Sequence, residues 1–260
     1  MESWIMSSLR RMFRIILLLW WCLSLMLLAS ISFLFVWNRW RRIRLGSAWA
    51  QFWARGAGYI IGLRVTLHGS KNCERGCLVV SNHLGYLDIL AHAGAFRLRF
   101  APKAEIKKWP FFGWLTALGT PVWIDRKNPR MSAVYAEAFK DTMEHGISML
   151  VYPEGTSTDG LHGILPFKST PFAAALKCRC NILPTLLFYR SRSGGVSRAA
   201  WHDDTPFGVH VWNVLGDAGT DIDIYCLPLC QVQENEDRKA LAARVHDIME
   251  TEYWKIENAR

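Results

Sequence analysis

Residues 77–88 read CLVVSNHLGYLD. A short apolar, β-branched run stops at Ser81-Asn82-His83, crosses Gly85, and resumes as a second apolar stretch entered through Asp88. This is the wording of a strand that delivers polar residues to its carboxyl end and then turns into a helix. The same form recurs downstream in TPVWIDR (120–126), ISMLVYPEG (147–155) and CNILPTLLFY (180–189). Stretches of helical character lie between these runs, at 87–96, 108–118, 130–145 and 169–178. Continuous apolar strands alternating with helices indicate a sheet covered on both faces. The expected fold class is therefore α/β, a mostly parallel mixed sheet flanked by helices. Segments near 208–215 and 221–229 are expected to add strands. The acidic opening Glu234-Asn235-Glu236-Asp237 suits the N-terminus of a closing amphipathic helix over 236–257.

Upstream of residue 64 the chain has another character. Ile15 to Trp37 reads IILLLWWCLSLMLLASISFLFVW, without a charge. At about 1.5 Å per residue such a helix covers roughly 34 Å, enough to cross a hydrocarbon core about 30 Å thick. Arg10, Arg11 and Arg14 precede it, and Arg39, Arg41, Arg42 and Arg44 follow. Arginines stand where a signal peptide would place its small-residue cleavage site, which argues against a cleaved leader. A membrane helix is expected, either spanning the bilayer or folding back within one leaflet. From Asn38 to Leu63, Trp, Phe and Tyr alternate with arginine. This reads as a helix lying in the headgroup region or, alternatively, as one packed on the body. The expected organisation is a membrane arm at 1–63 and a folded body at 64–260.

Charge agrees with that division. The net charge is +9, yet residues 1–70 hold nine arginines and a single acid, Glu2, so the body is close to neutral. A nucleic-acid-binding body would carry the basic excess itself, and no nucleic-acid partner is expected. Hydrophobic residues make up 51% of the chain, which excludes bulk disorder. The seven cysteines lack the spacing of a zinc site, and reduced thiols in a cytosol-facing body are expected.

Two groups of residues carry chemistry. In the first, His83 and Asp88 are five apart, about 140° around a regular helix, so they meet only if the chain turns between strand and helix. A carboxylate on one ring nitrogen fixes the tautomer and leaves the other nitrogen basic. The alternative is a loop histidine and a helix-entry aspartate that do not touch. The second group, Tyr152-Pro153-Glu154-Gly155-Thr156, also follows an apolar run, and a glycine turn there can present backbone N–H groups to an anion. No Gly-x-Ser-x-Gly nucleophile elbow occurs, which argues against a lipase or thioesterase.

Asn82-His83-x4-Asp88, Arg126 closing a strand, Pro153-Glu154-Gly155-Thr156 and Ile182-Leu183-Pro184 resemble, in order and spacing, the four blocks of the glycerolipid acyltransferase family. Lys103, Glu105, Pro110, Gly113 and Gly119 match its second block, and the resemblance covers about residues 64–190. It implies a membrane-bound O-acyltransferase that needs no cofactor or metal and uses acyl-CoA or acyl-carrier protein as co-substrate. His83 would be the base and Asp88 its support. Asn82, Lys103, Arg126, Glu154, Gly155, Thr156, Lys168 and Pro184 would bind or shape the site for the lysolipid. The expected acceptor is 1-acylglycerol-3-phosphate, giving phosphatidic acid; the alternative is a lyso-ornithine lipid, and a distant one is a non-catalytic membrane scaffold. Where many members carry an arginine after Glu-Gly-Thr, this chain has Ser157, and where many carry a glycine after Pro166-Phe167-Lys168 it has Ser169. A missing cation favours a zwitterionic headgroup. The expected location is the cytoplasmic face of a bacterial inner membrane.

Overall fold

A computed structural model describes residues 4–70, 73, 76–125, 131–192 and 199–260. Six strands form one sheet: β1 (Leu63–His68), β2 (Leu78–Ser81), β3 (Leu98–Arg99), β4 (Ser148–Val151), β5 (Ile182–Ser191) and β6 (Thr220–Cys226), in the order β1-β6-β5-β2-β4-β3. Strands β5, β2, β4 and β3 are mutually parallel; β6 runs antiparallel to β5 and carries β1 parallel to itself. The sheet is mixed and mostly parallel, as expected. Alternation along the strands sends side chains to two cores. Leu78, Val80, Ile182 and Leu186 pack toward α6 (Phe172–Cys178) and α8 (Arg238–Ala259), while Val79, Leu183, Leu187 and Ile222 pack toward α3 (Leu87–Ala95). Helix α8 starts at Asp237, whose carboxylate accepts from the N–H groups of Lys239 and Ala240.

Three expectations are corrected. Residues 207–216 form helix α7, because Pro206 opens it and the buried His210, Val214 and Leu215 recur at helical spacing on one face. Residues 120–125 form no strand. Pro121 lacks an N–H and Thr120 has a φ of 49°, so only Val122 and Ile124 hydrogen-bond to the neighbouring 100–104 segment. Cys73 and Cys77 form a disulfide where thiols were expected; the other five cysteines take part in no disulfide.

The N-terminal arm is a pair of antiparallel helices, α1 (Trp4–Leu34) and α2 (Arg39–Ile61). Trp21 Nε1 donates to Trp53 O at 3.1 Å, and Trp49 Nε1 to Ser32 Oγ at 2.9 Å. Helix α1 is long and apolar enough to be a candidate membrane span. It nevertheless touches the body: one end packs on α7 and the helix also meets α4 (Phe112–Leu118). The Arg14 guanidinium donates to Leu215 O at 3.0 Å and Asp217 O at 2.7 Å, and Arg10 to Gly216 O at 2.9 Å. These cations satisfy the last carbonyls of α7, where a helix end carries partial negative charge. The opposite face of α1 exposes Ile5, Leu9, Met12, Ile16, Trp20 and Leu23 among others, a stripe running its whole length. Helix α2 buries Ile43, Ala54, Ala57 and Ile61 against α1 and α3.

Candidate active site

Strand β2 ends at Ser81, and the next residue fixes the path of the loop. The Asn82 amide donates to Leu187 O at 3.0 Å and accepts from Leu187 N at 2.7 Å. It copies the pairing of a peptide group and extends the ladder between β2 and β5 by one side chain. Asn82 is buried and both its polar atoms bond to Leu187, so in this structure it positions the loop where a binding residue was expected.

The chain then turns, and His83 and Asp88 meet: His83 Nδ1 lies 2.7 Å from Asp88 Oδ2. Asp88 sits in the first turn of α3 and is fully buried. Its Oδ2 also accepts from Leu84 N at 2.6 Å and Gly85 N at 3.0 Å, and its Oδ1 accepts from the Tyr189 hydroxyl. A carboxylate facing four donors accepts from Nδ1–H, which leaves the Nε2 lone pair without a hydrogen-bond partner among the described residues. The turn needs Gly85, because a Cβ there would stand 3.0 Å from Trp201 N. The His83 ring stacks on Tyr152 at 4.2 Å between centroids, 16° from parallel, and keeps 22% of its side chain exposed.

Glu154 closes the other side of the site. Its Oε1 accepts from His83 N at 2.7 Å and its Oε2 from Leu165 N at 3.0 Å. Burial pushes this carboxyl up to about 7, against the pull of the two backbone donors. Both oxygens hold backbone, so Glu154 braces the histidine loop rather than opening toward a ligand. Gly155, at a φ of 77°, makes the turn, and a Cβ there would meet Lys168 Nζ. Thr156 and Lys168 are exposed beside this turn. Lys103 is exposed at the start of a 3-10 turn (Ala104–Lys108), bridged through its backbone to Ile124. Pro184 is buried in β5 beside Val80 and does not line the groove between α2 and β1. Arg126 lies outside the described residues. Ser157, in the place of the family arginine, spends its hydroxyl on Trp201 O at 2.6 Å.

Three residues with no assigned role join the site. Tyr189 bonds Asp88 from β5. Tyr152 carries the His83 ring on its face. His92, fully buried, sits with Nδ1 3.0 Å from Asp88 O and 3.2 Å from the Tyr152 hydroxyl, and with Nε2 3.1 Å from Thr185 Oγ1. Burial lowers His92 to about 4, so it is neutral at ordinary pH. No short spacing links Tyr189 to Asp88, 101 residues away. The i, i+4 step from Asp88 to His92 on one helix face was the one available signal.

Beside α3 an open groove of about 390 Å³ runs between α2 and β1. Gly58, Leu63, Val65, Leu67, Leu90 and Ala95 line it, with Arg55 at its side.

The Acyltransferase family model matches residues 64–187. A lyso-ornithine lipid O-acyltransferase of Rhodobacter capsulatus is 37% identical over 190 residues, covering 71% of this chain and 68% of its own. The chain belongs to the Acyltransferase family. This acyltransferase is also 27% identical over 197 residues to a 1-acyl-sn-glycerol-3-phosphate acyltransferase of Neisseria gonorrhoeae, covering 75% of this chain and 77% of the other. Its fold matches the crystal structure of the 1-acyl-sn-glycerophosphate acyltransferase PlsC of Thermotoga maritima. The TM-score is 0.73 over 97% of each chain, at 18% identity.

Proposed function

We propose that this acyltransferase moves a fatty acyl group from acyl-CoA or acyl-carrier protein to the free hydroxyl of a lysolipid. The observation that carries this reading is the His83–Asp88 bond of 2.7 Å, with Nε2 left open. In the proposed step Nε2 takes the proton of the lysolipid hydroxyl as its oxygen bonds to the thioester carbonyl carbon. The C–S bond then breaks, and the thiolate leaves with the proton returned by the imidazolium. Asp88 stays ionised throughout and stabilises the transient charge. Asn82 and Glu154 hold the loop, Thr156, Lys168 and Lys103 face the acceptor headgroup, and the groove between α2, α3 and β1 receives an acyl chain.

The acceptor we favour is a lyso-ornithine lipid. The 37% identity to the Rhodobacter protein against 27% for the Neisseria one supports it. So does Ser157, a neutral residue turned onto Trp201 O where a cation would serve a phosphate. The second reading, 1-acylglycerol-3-phosphate, is favoured by Lys168 lying across the Gly155 turn. The body would work at the cytoplasmic membrane face, where both donors are made. The Cys73–Cys77 disulfide runs against that placement, because the cytosol keeps thiols reduced; protection of both cysteines from alkylation in intact cells would sink it.

Thiol release from acyl-CoA, measured with a panel of lysolipids, tests the whole reading. Release is expected only with an acceptor present, and fastest with lyso-ornithine lipid. Removing the base in His83→Ala is expected to cost on the order of a thousandfold in kcat. Release that ignores the acceptor, or survives in that variant, defeats the proposal.

A further inference from the structure

Asp88 has an unusual set of partners for a buried carboxylate. Among the described residues no lysine or arginine bonds to it; all its partners are neutral donors apart from His83 itself. Oδ2 has three: the His83 ring and the N–H groups of Leu84 and Gly85. Oδ1 has one, the Tyr189 hydroxyl. The three on Oδ2 come with the loop and are the same in any chain that folds this turn. The one on Oδ1 is supplied by a single side chain from β5, on the central strand that also pairs with Asn82.

We propose that Tyr189 is a positioning residue that sets the proton affinity of His83 by holding Oδ1 of Asp88. The inference rests on the acyl-transfer reading and adds a residue to it. A hydrogen bond to a carboxylate withdraws charge from it, so its pull on the proton of the neighbouring imidazole weakens. With the tyrosine donating, His83 gives up its proton at lower pH and is available as a base over a wider range. Without it, Oδ1 is a bare oxygen in a dry pocket, and the pair keeps its proton to higher pH.

Other titratable groups surround the pair without taking this part. Tyr152, after β4, stacks on His83 and turns its hydroxyl to His92. His92, on α3 with Asp88, touches the Asp88 backbone carbonyl and not its carboxylate. Tyr86 points to His210 of α7 at 3.1 Å. Glu154 is spent on the backbone of His83 and Leu165. Tyr189 alone among them donates to the carboxylate.

The test uses the full-length protein in vesicles and two substitutions of opposite sign. Tyr189→Phe keeps the ring and removes the donor; 2,3-difluorotyrosine at 189 keeps the shape and makes a stronger donor. Two readouts are followed: the titration midpoint of the His83 ring by NMR, and the pH profile of kcat/KM for lysolipid-dependent thiol release. In Tyr189→Phe the midpoint and the acid limb are both expected to rise by roughly half to one pH unit. The fluorinated protein is expected to move both the other way. A loss that is equal at every pH, or two substitutions that shift the midpoint in one direction or not at all, overturns the proposal. If Tyr189→Phe fails to fold, the fluorinated protein alone decides by the sign of its shift. Ring titrations that shift as stated in a protein without lysolipid-dependent release would refute the acyl-transfer reading and leave the role of Tyr189 standing.

Discussion

Glu154 illustrates how a residue that resembles a substrate ligand can work one step back. Its carboxylate reaches both the N–H of His83 and that of Leu165, and burial raises it to about 7. A raised acid favours the folded state in its neutral form. Its contribution is complete below the unfolded value near 4.5 and is lost as the pH rises through about 7. The loss is on the order of 3 kcal/mol. Melting temperatures of wild type and Glu154→Gln between pH 5 and 8 check this. The wild-type curve is expected to fall relative to the variant across that window; parallel curves would contradict it. The variant is also expected to lose activity on the order of tenfold, because its amide N–H₂ opposes one of the two backbone donors and leaves a buried N–H unpaired.

At the scale of elements, the alternation of apolar runs and helices made the central strands legible, since β2, β4 and β5 are buried on both faces and read as unbroken apolar runs. A strand end, a glycine and a helix entry standing together made a His83–Asp88 contact possible, and the family resemblance selected it over a pair that does not touch. What was not legible depends on distant partners. The ten residues of α7 are as apolar as a strand, and only their burial pattern against the arm separates the two. Strand β1, LRVTLH, is an edge strand with three exposed residues in a row; it alternates apolar and polar residues and lacks the unbroken apolar run of the central strands. Asn82 looked like a ligand because its partner, Leu187, is 105 residues away. The groove between α2, α3 and β1 also belongs to this scale, because three elements build it. Ala95 is partly exposed on its wall. Ala95→Trp is expected to lower kcat/KM for long acyl donors at least several-fold while sparing short ones; an unchanged chain-length profile would remove the groove from the acyl path.

At the scale of the molecule, the arm is docked on the body: α1 packs on α7 and α4, and α2 packs on α3. Arg10 and Arg14 tie the start of α1 to α7, and Trp21 and Ser32 tie its middle and end to α2. Its free face is an apolar stripe through Leu9, Ile16, Trp20, Leu23 and Leu27. On the proposed membrane attachment, a helix held this way would offer this side to the bilayer. Replacing Leu9, Ile16, Leu23 and Leu27 together with Gln is expected to abolish sedimentation with anionic vesicles and to leave the melting temperature of the body within a few degrees. Sedimentation at the wild-type level would mean that another surface carries the attachment.

The ties from Arg14 to the α7 carbonyls have a kinetic corollary. On the proposed reading, with no slack between raft and reactor, the His83 imidazole would keep one height above the leaflet and would meet its acceptor only by drifting sideways. Turnover should then follow the surface mole fraction of lysolipid, and diluting the acceptor with inert phospholipid should slow the reaction even when the amount per millilitre is unchanged.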